Sequence, residues 1–304
     1  MIIDRFLGSE DARARLHAML QAGQLPHSIL ICGETGCGSG YFARLLAADL
    51  LQSDPAAEDG EARARRVLEG ADPDCIEVEG EGVSGLIKVD RIREVRAAAQ
   101  QTSLGGERRV VIVYGAENLA APSANALLKI LEEPPAGVFF LITARSAAGV
   151  MATIRSRCSA LQLSAPDAQV CAAELRRQGA APADAALLAE VWQGRIGCAL
   201  ACLTGERRAL FDAAFSVCRC VAANDAYGLM KLFVPYEKER ERLQTLLADT
   251  VQILRGSLAG AQACPVPADA AVPAIRAVLD AAARLRGNGN ARLVLTGLCL
   301  QLGE

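Results

Sequence analysis

Histidine is almost absent from this chain, which contains only His17 and His27. A Ser-His-Asp or Cys-His catalytic site needs a histidine beside its nucleophile, so the sequence argues against both. No Cys-x-x-Cys pair occurs among the 11 cysteines, and common zinc sites are built from such pairs or from cysteine with histidine. We therefore expect no metal site, and we expect the scattered cysteines to be buried as small apolar residues.

The chain also lacks the segments that direct proteins into or across membranes. No run of about 18 uncharged apolar residues occurs. The first residues, Met1-Ile-Ile-Asp-Arg-Phe6, have neither the basic flank nor the apolar core of a signal peptide. These absences predict a cytoplasmic protein without a membrane partner.

An excess of basic residues is missing as well, since the net charge is −3 and the isoelectric point is about 5.6. Such a chain has no overall electrostatic attraction for nucleic acid, so strong direct DNA binding by this chain alone is not expected. With 304 residues, 52% of them hydrophobic and 22% charged, the chain is predicted to be globular and to form two or three domains.

Strand-like and helix-like patterns alternate along the first half of the chain. Apolar runs predict strands, and amphipathic spacing predicts helices. The polar, charged insert at 56–66 predicts an exposed helix and loop. This alternation predicts a parallel sheet covered by helices on both faces. The predicted strands are 27–32, 74–78, 109–114, 138–143 and 160–163, and the predicted helices are 39–51, 89–101 and 123–132.

From Pro166 onward the pattern predicts helices only. Three short helices, at 167–178, 182–192 and 196–203, form a group that suits a small domain. A longer helical region follows from Gly205, with breaks predicted at 260–267 and 287–290. We therefore predict three domains: an α/β domain at 1–164, a small helical domain at 165–204 and an all-α domain at 205–304.

The segment 33–40 has the glycine spacing of a phosphate-binding loop but lacks its chemistry. Gly33, Gly36 and Gly38 can form the turn whose N–H groups wrap a phosphate. However, Ser39 stands where the phosphate-binding lysine belongs, and Gly40 stands where the magnesium-binding Ser or Thr belongs. Taken alone, the segment favours a plain strand-to-helix turn that needs glycine.

The strand at 109–114 shows a second, independent loss. An active ATPase with a phosphate-binding loop ends that strand with two acids, one for magnesium and one to orient the attacking water. Here the two positions hold Tyr114 and Gly115. Thr143, at the end of the next strand, can face a nucleotide or simply terminate the strand. Because the lysine and the acids are both missing, we expect no ATP hydrolysis and no bound cofactor.

Two further motifs point to an arginine that acts on another subunit. The first reads Asn125-Ala-Leu-Leu-Lys-Ile-Leu-Glu-Glu-Pro-Pro135, and the second reads Ser156-Arg157-Cys158. An arginine presented in trans stabilises charge on a transferring phosphoryl group, and its planar guanidinium suits that task better than lysine does. The alternative is that Arg157 is a generic surface arginine.

Together these residues resemble the clamp-loader branch of the AAA+ ATPases. The resemblance covers residues 27–164, nearly half of the chain. One departure is that 51–74 holds no cysteine and Cys75 stands alone, so the zinc module of many family members is not expected. The supporting motifs, besides those above, are Leu25-Pro-His-Ser28, Val89-Asp90-x-Ile92-Arg93-Glu94 and Leu104-Gly-Gly-x-Arg108.

The resemblance implies a place in an assembly that loads the sliding clamp of bacterial DNA polymerase III during DNA replication. Its members form an open five-subunit ring joined by collar domains, so 165–204 would be a lid and 205–304 a collar. The partners implied are motor subunits of the gamma/tau type and a delta subunit, with the clamp and primer–template DNA reached through the complex. This chain would be a stator without ATPase activity of its own, and any polymerase activity would belong to the complex. Arg157 would be the finger, with Ser156 and Cys158 supporting it.

Two other functions stay open, namely a pure interaction scaffold with an inert Arg157 and an active P-loop ATPase. In the collar, the apolar faces of 243–254 and 293–300 are candidates for the subunit interface, or else they form the core. A cluster of basic residues near one helix is either a solvated face or an edge that faces DNA; it contains Lys88, Arg91, Arg93 and Arg96.

Overall fold

A computed structural model describes residues 1–52, 58–81, 85–99, 108–261, 263–287 and 289–303. Several predicted features fall partly outside these residues: the start of the 56–66 insert, the end of the 89–101 helix, the motif at 104–108 and the turn at 287–290. The chain forms two compact units, Met1–Pro166 and Asp167–Glu304, and each is described by itself.

The first unit contains the expected parallel sheet. All pairings between its strands are parallel, and the order across the sheet is β2-β3-β4-β1-β5. The prediction of the sheet is confirmed, with strand ends that move by one residue. The strands are β1 (Ser28–Cys32), β2 (Cys75–Val78), β3 (Arg109–Val113), β4 (Val138–Ala144) and β5 (Ser159–Gln162).

Helices cover both faces of this sheet, because both faces of its central strands are apolar. In β1, Ile29 and Ile31 enter one core while Leu30 and Cys32 enter the other, as expected for side chains that alternate along a strand. Two helices of the unit, α1 and α6, were not predicted. The helices are α1 (Glu10–Gln21), α2 (Ser39–Leu51), α3 (Glu58–Leu68), α4 (Val89–Ala99), α5 (Ala121–Glu132) and α6 (Ala152–Arg155).

The insert between α2 and β2 is less exposed than the sequence suggested. In α3, Ala64 and Val67 are buried against the core shared with α2. Arg63 of α3 pairs with the buried carboxylates of Asp72, at 3.2 Å, and Asp74, at 3.0 Å. These charges lie inside because they neutralise one another, and that arrangement was hidden in a segment that reads as polar throughout.

The carboxyl ends of the strands form one edge of the sheet. In register, Cys32 of β1 lies beside Ala144 of β4 and Gln162 of β5. The glycine loop that follows β1, the residues that follow β3, and Thr143 in β4 therefore lie along the same edge. In open α/β sheets ligands bind at this edge.

The second unit is helical throughout its described residues, as predicted from Pro166 onward. The expected break at 260–267 separates its two longest helices. The helices are α7 (Ala168–Arg177), α8 (Pro182–Val191), α9 (Ile196–Ala201), α10 (Gly205–Ala222), α11 (Ala226–Phe233), α12 (Arg240–Leu258), α13 (Ala268–Arg286) and α14 (Ala291–Leu302).

One hydrophobic core runs through this unit from Cys171 to Leu302. The side-chain amide of Gln252 in α12 donates to the carbonyl of Val191 in α8, at 2.7 Å. The segments 165–204 and 205–304 thus share a core, and their division into lid and collar stays a prediction. None of the described helices in either unit is both long and apolar enough to cross a bilayer.

Candidate functional site

The glycine loop leads from β1 into α2, and aromatic side chains pack against it. Gly38 caps the start of α2 with a left-handed backbone (φ 84°), a conformation that glycine adopts without strain. A β carbon at Gly38 would lie 3.1 Å from the Phe6 ring. Phe6 also meets Phe42 of α2 edge to face, with ring centroids 5.0 Å apart. The N-terminal segment therefore packs onto the loop.

Tyr114 fills the space beside Gly40. A β carbon at Gly40 would lie only 3.1 Å from the Tyr114 ring, closer than side-chain carbons normally approach. The hydroxyl of Tyr114 accepts a hydrogen bond from Nε of Arg44, at 3.1 Å. Tyr114, predicted from the sequence to stand in place of a catalytic acid, is thus a packed phenol whose pKa is raised by burial and by the nearby Glu77 carboxylate.

Arg44 is itself held by Glu77 in a two-pronged ion pair. Nε of Arg44 lies 2.8 Å from Oε1 of Glu77, and Nη2 lies 2.6 Å from Oε2. The hydrogen bonds to Glu77 raise the pKa of Arg44 above its ordinary value. Arg44 of α2, Glu77 of β2 and Tyr114 after β3 therefore form one network beside the loop. This network could not be predicted from the sequence because its members are far apart along the chain.

Thr143 and Gly115 meet at the same edge of the sheet. The N–H of Gly115 donates to the Thr143 hydroxyl, at 3.1 Å, and Thr143 is buried. Through this bond Thr143, the last residue but one of β4, holds the turn after β3. A charged group that could bind a phosphate or magnesium is missing from all four positions, Ser39, Gly40, Tyr114 and Gly115.

The Ser-Arg-Cys motif follows α6, where its three side chains take different directions. Ser156 donates from its hydroxyl to the carbonyl of Thr153, at 3.0 Å. Cys158 packs against the core on one face of the sheet, where burial raises its pKa to about 11. Arg157 is exposed at the surface, with 39% of its side chain accessible. Ser156 and Cys158 thus anchor the turn from which Arg157 projects.

Arg157 makes its contacts with α5 and α6. Its Nη2 lies 2.6 Å from Oε1 of Glu132, the residue that ends α5. Its Nη1 donates to the carbonyl of Thr153, at 3.4 Å, and to the hydroxyl of Ser156, at 3.3 Å. These contacts join the 125–135 motif to the Ser-Arg-Cys motif. Among the described residues, Arg157 makes no hydrogen bond or ion pair with the glycine loop.

The cysteine side chains are shielded from solvent, which lowers their reactivity. All the cysteines are free, and each is buried or partly buried, as the sequence predicted. Burial raises the pKa of Cys75 to about 12 and that of Cys202 to about 11. Across the part of the chain that the structure describes, no group of three or more His, Cys, Asp or Glu side chains is arranged to hold a metal ion.

Most of the basic cluster near α4 is paired with acids. Lys88 lies 3.0 Å from Glu81. Arg91 and Arg93 of α4 pair within the helix, with Glu94 at 2.6 Å and Asp90 at 3.1 Å. All of these side chains are exposed. Such pairing favours a solvated face, because it leaves little excess positive charge for a DNA backbone.

Comparison with known proteins places the chain in a family. A family model described as "DNA polymerase III, delta subunit" matches residues 8–167. The DNA polymerase III subunit delta' of Escherichia coli is 32% identical over 254 residues, which cover 80% of this chain and 75% of that protein. The subunit delta' of Pseudomonas aeruginosa is 37% identical over 138 residues, 44% of this chain and 42% of that protein.

A solved structure agrees on the fold. A DNA polymerase III gamma-subunit-related protein of Thermotoga maritima superposes with a TM-score of 0.52 and 17% identity, covering 91% of this chain and 95% of that one. The fold, an α/β domain with a parallel sheet followed by helices, is thereby confirmed. Because the family model covers more than half of the residues and the Escherichia coli relative aligns over most of both chains, this chain belongs to the family of DNA polymerase III delta' subunits.

Proposed function

We propose that this chain is a non-hydrolysing clamp-loader subunit that supplies Arg157 to the ATP site of a neighbouring motor subunit. In this role it acts as a stator within the ring while the motor subunits bind and hydrolyse ATP. The ring loads the sliding clamp onto primer–template DNA for DNA polymerase III. The chain has no ATPase activity of its own, and its own loop needs no nucleotide or metal.

One observation carries the proposal: Arg157 is exposed and bonded away from its own glycine loop. A finger that acts in trans must project from the surface of its own subunit, and a bidentate guanidinium on a transferring phosphoryl group contributes about 10³–10⁵ in rate in GTPases. This chain, by contrast, lacks the lysine expected at Ser39, the hydroxyl expected at Gly40 and the acid expected at Tyr114. A retained finger beside a lost site suits a subunit that serves a neighbour.

The proposed partners are motor subunits of the gamma/tau type and a delta subunit, joined through the collar at 205–304. The α12 face predicted for the interface is core, since Leu243, Leu246, Leu247, Ile253 and Leu254 are buried. On α14, however, Leu293 and Leu300 are exposed, at 73% and 60%. Seven residues apart on a helix, they lie on one face. We place the partner contact on α14 for that reason.

The test replaces Arg157 by alanine in a loader reconstituted with its cognate motor and delta subunits. ATP hydrolysis and clamp loading are measured with clamp and primed DNA. Arg155→Ala is the matched control, because Arg155 is an exposed arginine that ends α6, two residues before Arg157, and its Nη1 donates to the carbonyl of Ala147. We expect Arg157→Ala to lower clamp loading at least about tenfold, as when a charge-stabilising donor is removed, and Arg155→Ala to leave it unchanged.

A pure scaffold is the second candidate, and the ion pair between Arg157 and Glu132 favours it, since the arginine already has a partner in its own chain. Full assembly with unchanged ATP hydrolysis in Arg157→Ala would establish the scaffold and reject the finger. An active ATPase requires nucleotide binding by the isolated chain, so a blank calorimetric titration with ATP and magnesium rejects that function.

A further inference from the structure

Glu132 and Arg157 link the two motifs that the sequence singled out separately. Glu132 is the last residue of α5, and Arg157 follows the end of α6. Nη2 of Arg157 lies 2.6 Å from Oε1 of Glu132. Such a short distance is typical of a charge-assisted hydrogen bond. The pair therefore connects the end of one helix to the projecting arginine.

The other terminal nitrogen of the Arg157 guanidinium is held by residues of the arginine's own turn. This nitrogen, Nη1, lies 3.4 Å from the Thr153 carbonyl and 3.3 Å from the Ser156 hydroxyl. Glu132 is the only one of these partners that comes from outside the arginine's own turn. An arginine side chain has about 2 kcal/mol of rotamer entropy, so without Glu132 the guanidinium is free to sample many more orientations.

We propose that Glu132 is a positioning residue, which holds the Arg157 guanidinium in the orientation that meets the phosphate of the neighbouring subunit. This inference rests on the proposed function of Arg157. Glu132 does not touch the nucleotide; it acts through the arginine. A guanidinium has five N–H groups, so it can keep the carboxylate on one nitrogen and still present donors to a phosphoryl oxygen.

Because the Arg157 and Glu132 side chains are both partly exposed, their ion pair contributes little to folding stability. Its effect is to orient the Arg157 guanidinium. The two side chains are 39% and 48% exposed, and ion pairs with such access to water contribute little to folding. Pre-orientation matters more for a finger than stability does, because misplacement of a catalytic group by about 1 Å costs as much as 10²-fold in rate. The adjacent acid, Glu133, is also exposed, yet among the described residues it forms no ion pair.

The experiment compares Glu132→Gln with Glu133→Gln in the reconstituted loader. Both changes remove one negative charge from neighbouring exposed positions, but only the first removes the partner of Arg157. We expect Glu132→Gln to lower the maximal rate of clamp- and DNA-stimulated ATP hydrolysis by about two- to five-fold, the range of an exposed ion pair. Glu133→Gln should match the wild type, and assembly, measured by gel filtration, should be the same for both.

A double-mutant cycle separates positioning from a general structural effect. In an Arg157→Ala background, Glu132→Gln should produce no additional loss, because the arginine through which it acts is gone. A loss that persists in that background would overturn the inference, and so would an unchanged rate in the single variant. A higher rate in Glu132→Gln would overturn it as well, since the carboxylate would then be competing with the phosphate for the arginine.

The outcomes also distinguish this inference from the proposed function. If Arg157→Ala lowers the rate and Glu132→Gln does not, Arg157 remains the finger and Glu132 has no part in placing it. If Arg157→Ala leaves the rate unchanged in an assembled loader, the finger itself is rejected. Thermal melting of each isolated variant, expected to match the wild type, shows that both substitutions leave the fold intact.

Discussion

The ring of Tyr114 lies 3.1 Å from the position that a β carbon on Gly40 would occupy. Tyr114, predicted to stand in place of a catalytic acid, and Gly40, predicted to stand in place of a magnesium ligand, thus fit against each other. The Tyr114 hydroxyl is also tied to Arg44, so the ring is restrained and does not simply swing aside. The losses at the two positions form one packed arrangement.

Restoring the missing lysine should therefore leave the loop unable to bind ATP. For Ser39→Lys we expect no binding in a calorimetric titration with ATP and magnesium at millimolar concentrations. Lysine supplies charge for the phosphates, but Gly40 still offers no hydroxyl for magnesium, and the Tyr114 ring still lies beside the loop. Measurable saturable binding by Ser39→Lys would show that the lysine alone was missing; the wild-type chain is the control.

Arg157→Lys should lose most of the effect of the arginine although it keeps the charge. Lysine is a point charge on a flexible chain and lacks the planar fork that binds two phosphoryl oxygens. We expect a clamp-loading rate much closer to that of Arg157→Ala than to the wild type. A rate equal to the wild type would mean that charge alone suffices, which contradicts a bidentate finger.

Removing Arg207 should destabilise the second unit, because it leaves a buried carboxylate unpaired. Arg207 of α10 and Asp249 of α12 form a bidentate pair, with Nη2 of Arg207 2.7 Å from Oδ1 of Asp249, whose side chain is 2% exposed. Removing one partner of a buried pair costs about 3 kcal/mol. Urea unfolding of Arg207→Ala at pH 7 measures the loss, with Arg93→Ala as an exposed control.

The same variant should show a pH dependence of defined sign. Burial raises the pKa of Asp249 above its ordinary 3.8 even with Arg207 present, and removing the arginine should raise it further. A folded-state pKa above the unfolded value means that the folded state holds its proton more tightly, so stability falls as pH rises between the two values. The deficit of Arg207→Ala should therefore grow from pH 4 to pH 7, and a deficit that is constant over that range would contradict it.

Two exposed leucines on α14 should matter for assembly and not for folding. Leu293→Ser combined with Leu300→Ser is expected to weaken association with motor and delta subunits while the melting temperature of the isolated chain stays unchanged, since both side chains are already in water. Leu279→Ser on α13, 44% exposed, is the matched control. Normal assembly of the double variant would move the interface elsewhere.

Cys158 should react slowly despite its place beside the exposed arginine. Its pKa rises from an ordinary 9.0 to about 11 on burial, and only the thiolate reacts. At pH 8 we therefore expect alkylation of Cys158 about 100-fold slower in the native protein than in urea. The native rate should climb about tenfold for each pH unit up to pH 10. Equal rates in the two states would show that the thiol is not buried.

The three strands β1, β3 and β4 could be predicted closely because each is a short apolar run between breakers. Such runs are buried on both faces, so even a shift in the end of a strand by one residue leaves the pattern readable. Helix α6 was missed because a single turn is too short to show a helical period, and α1 because only Ala12 and Leu16 in it are buried. Local patterns carry little information in both cases.

Contacts between distant parts of the chain could not be predicted. The sequence identified Arg157 and the Glu132-Glu133 pair, yet nothing in their spacing shows that Glu132 is the one that meets the arginine. The network of Arg44, Glu77 and Tyr114 likewise depends on three elements that meet only in the folded sheet. The insert at 56–66 reads as exposed because its arginines are polar, whereas Arg63 lies among buried acids. Periodicity predicts which face is buried and not which charges meet there.

Asp74 forms ion pairs with two arginines from different parts of the first unit. Its carboxylate lies 3.0 Å from Arg63 of α3 and 3.3 Å from Arg109 at the start of β3, and it is fully buried. Local opening of α3 would take Arg63 away from the buried carboxylates of both Asp72 and Asp74, which is far more costly than fraying an exposed helix. The insert should therefore open together with the sheet as one cooperative folding unit, and its amide hydrogens should exchange at rates close to those of β2 and β3.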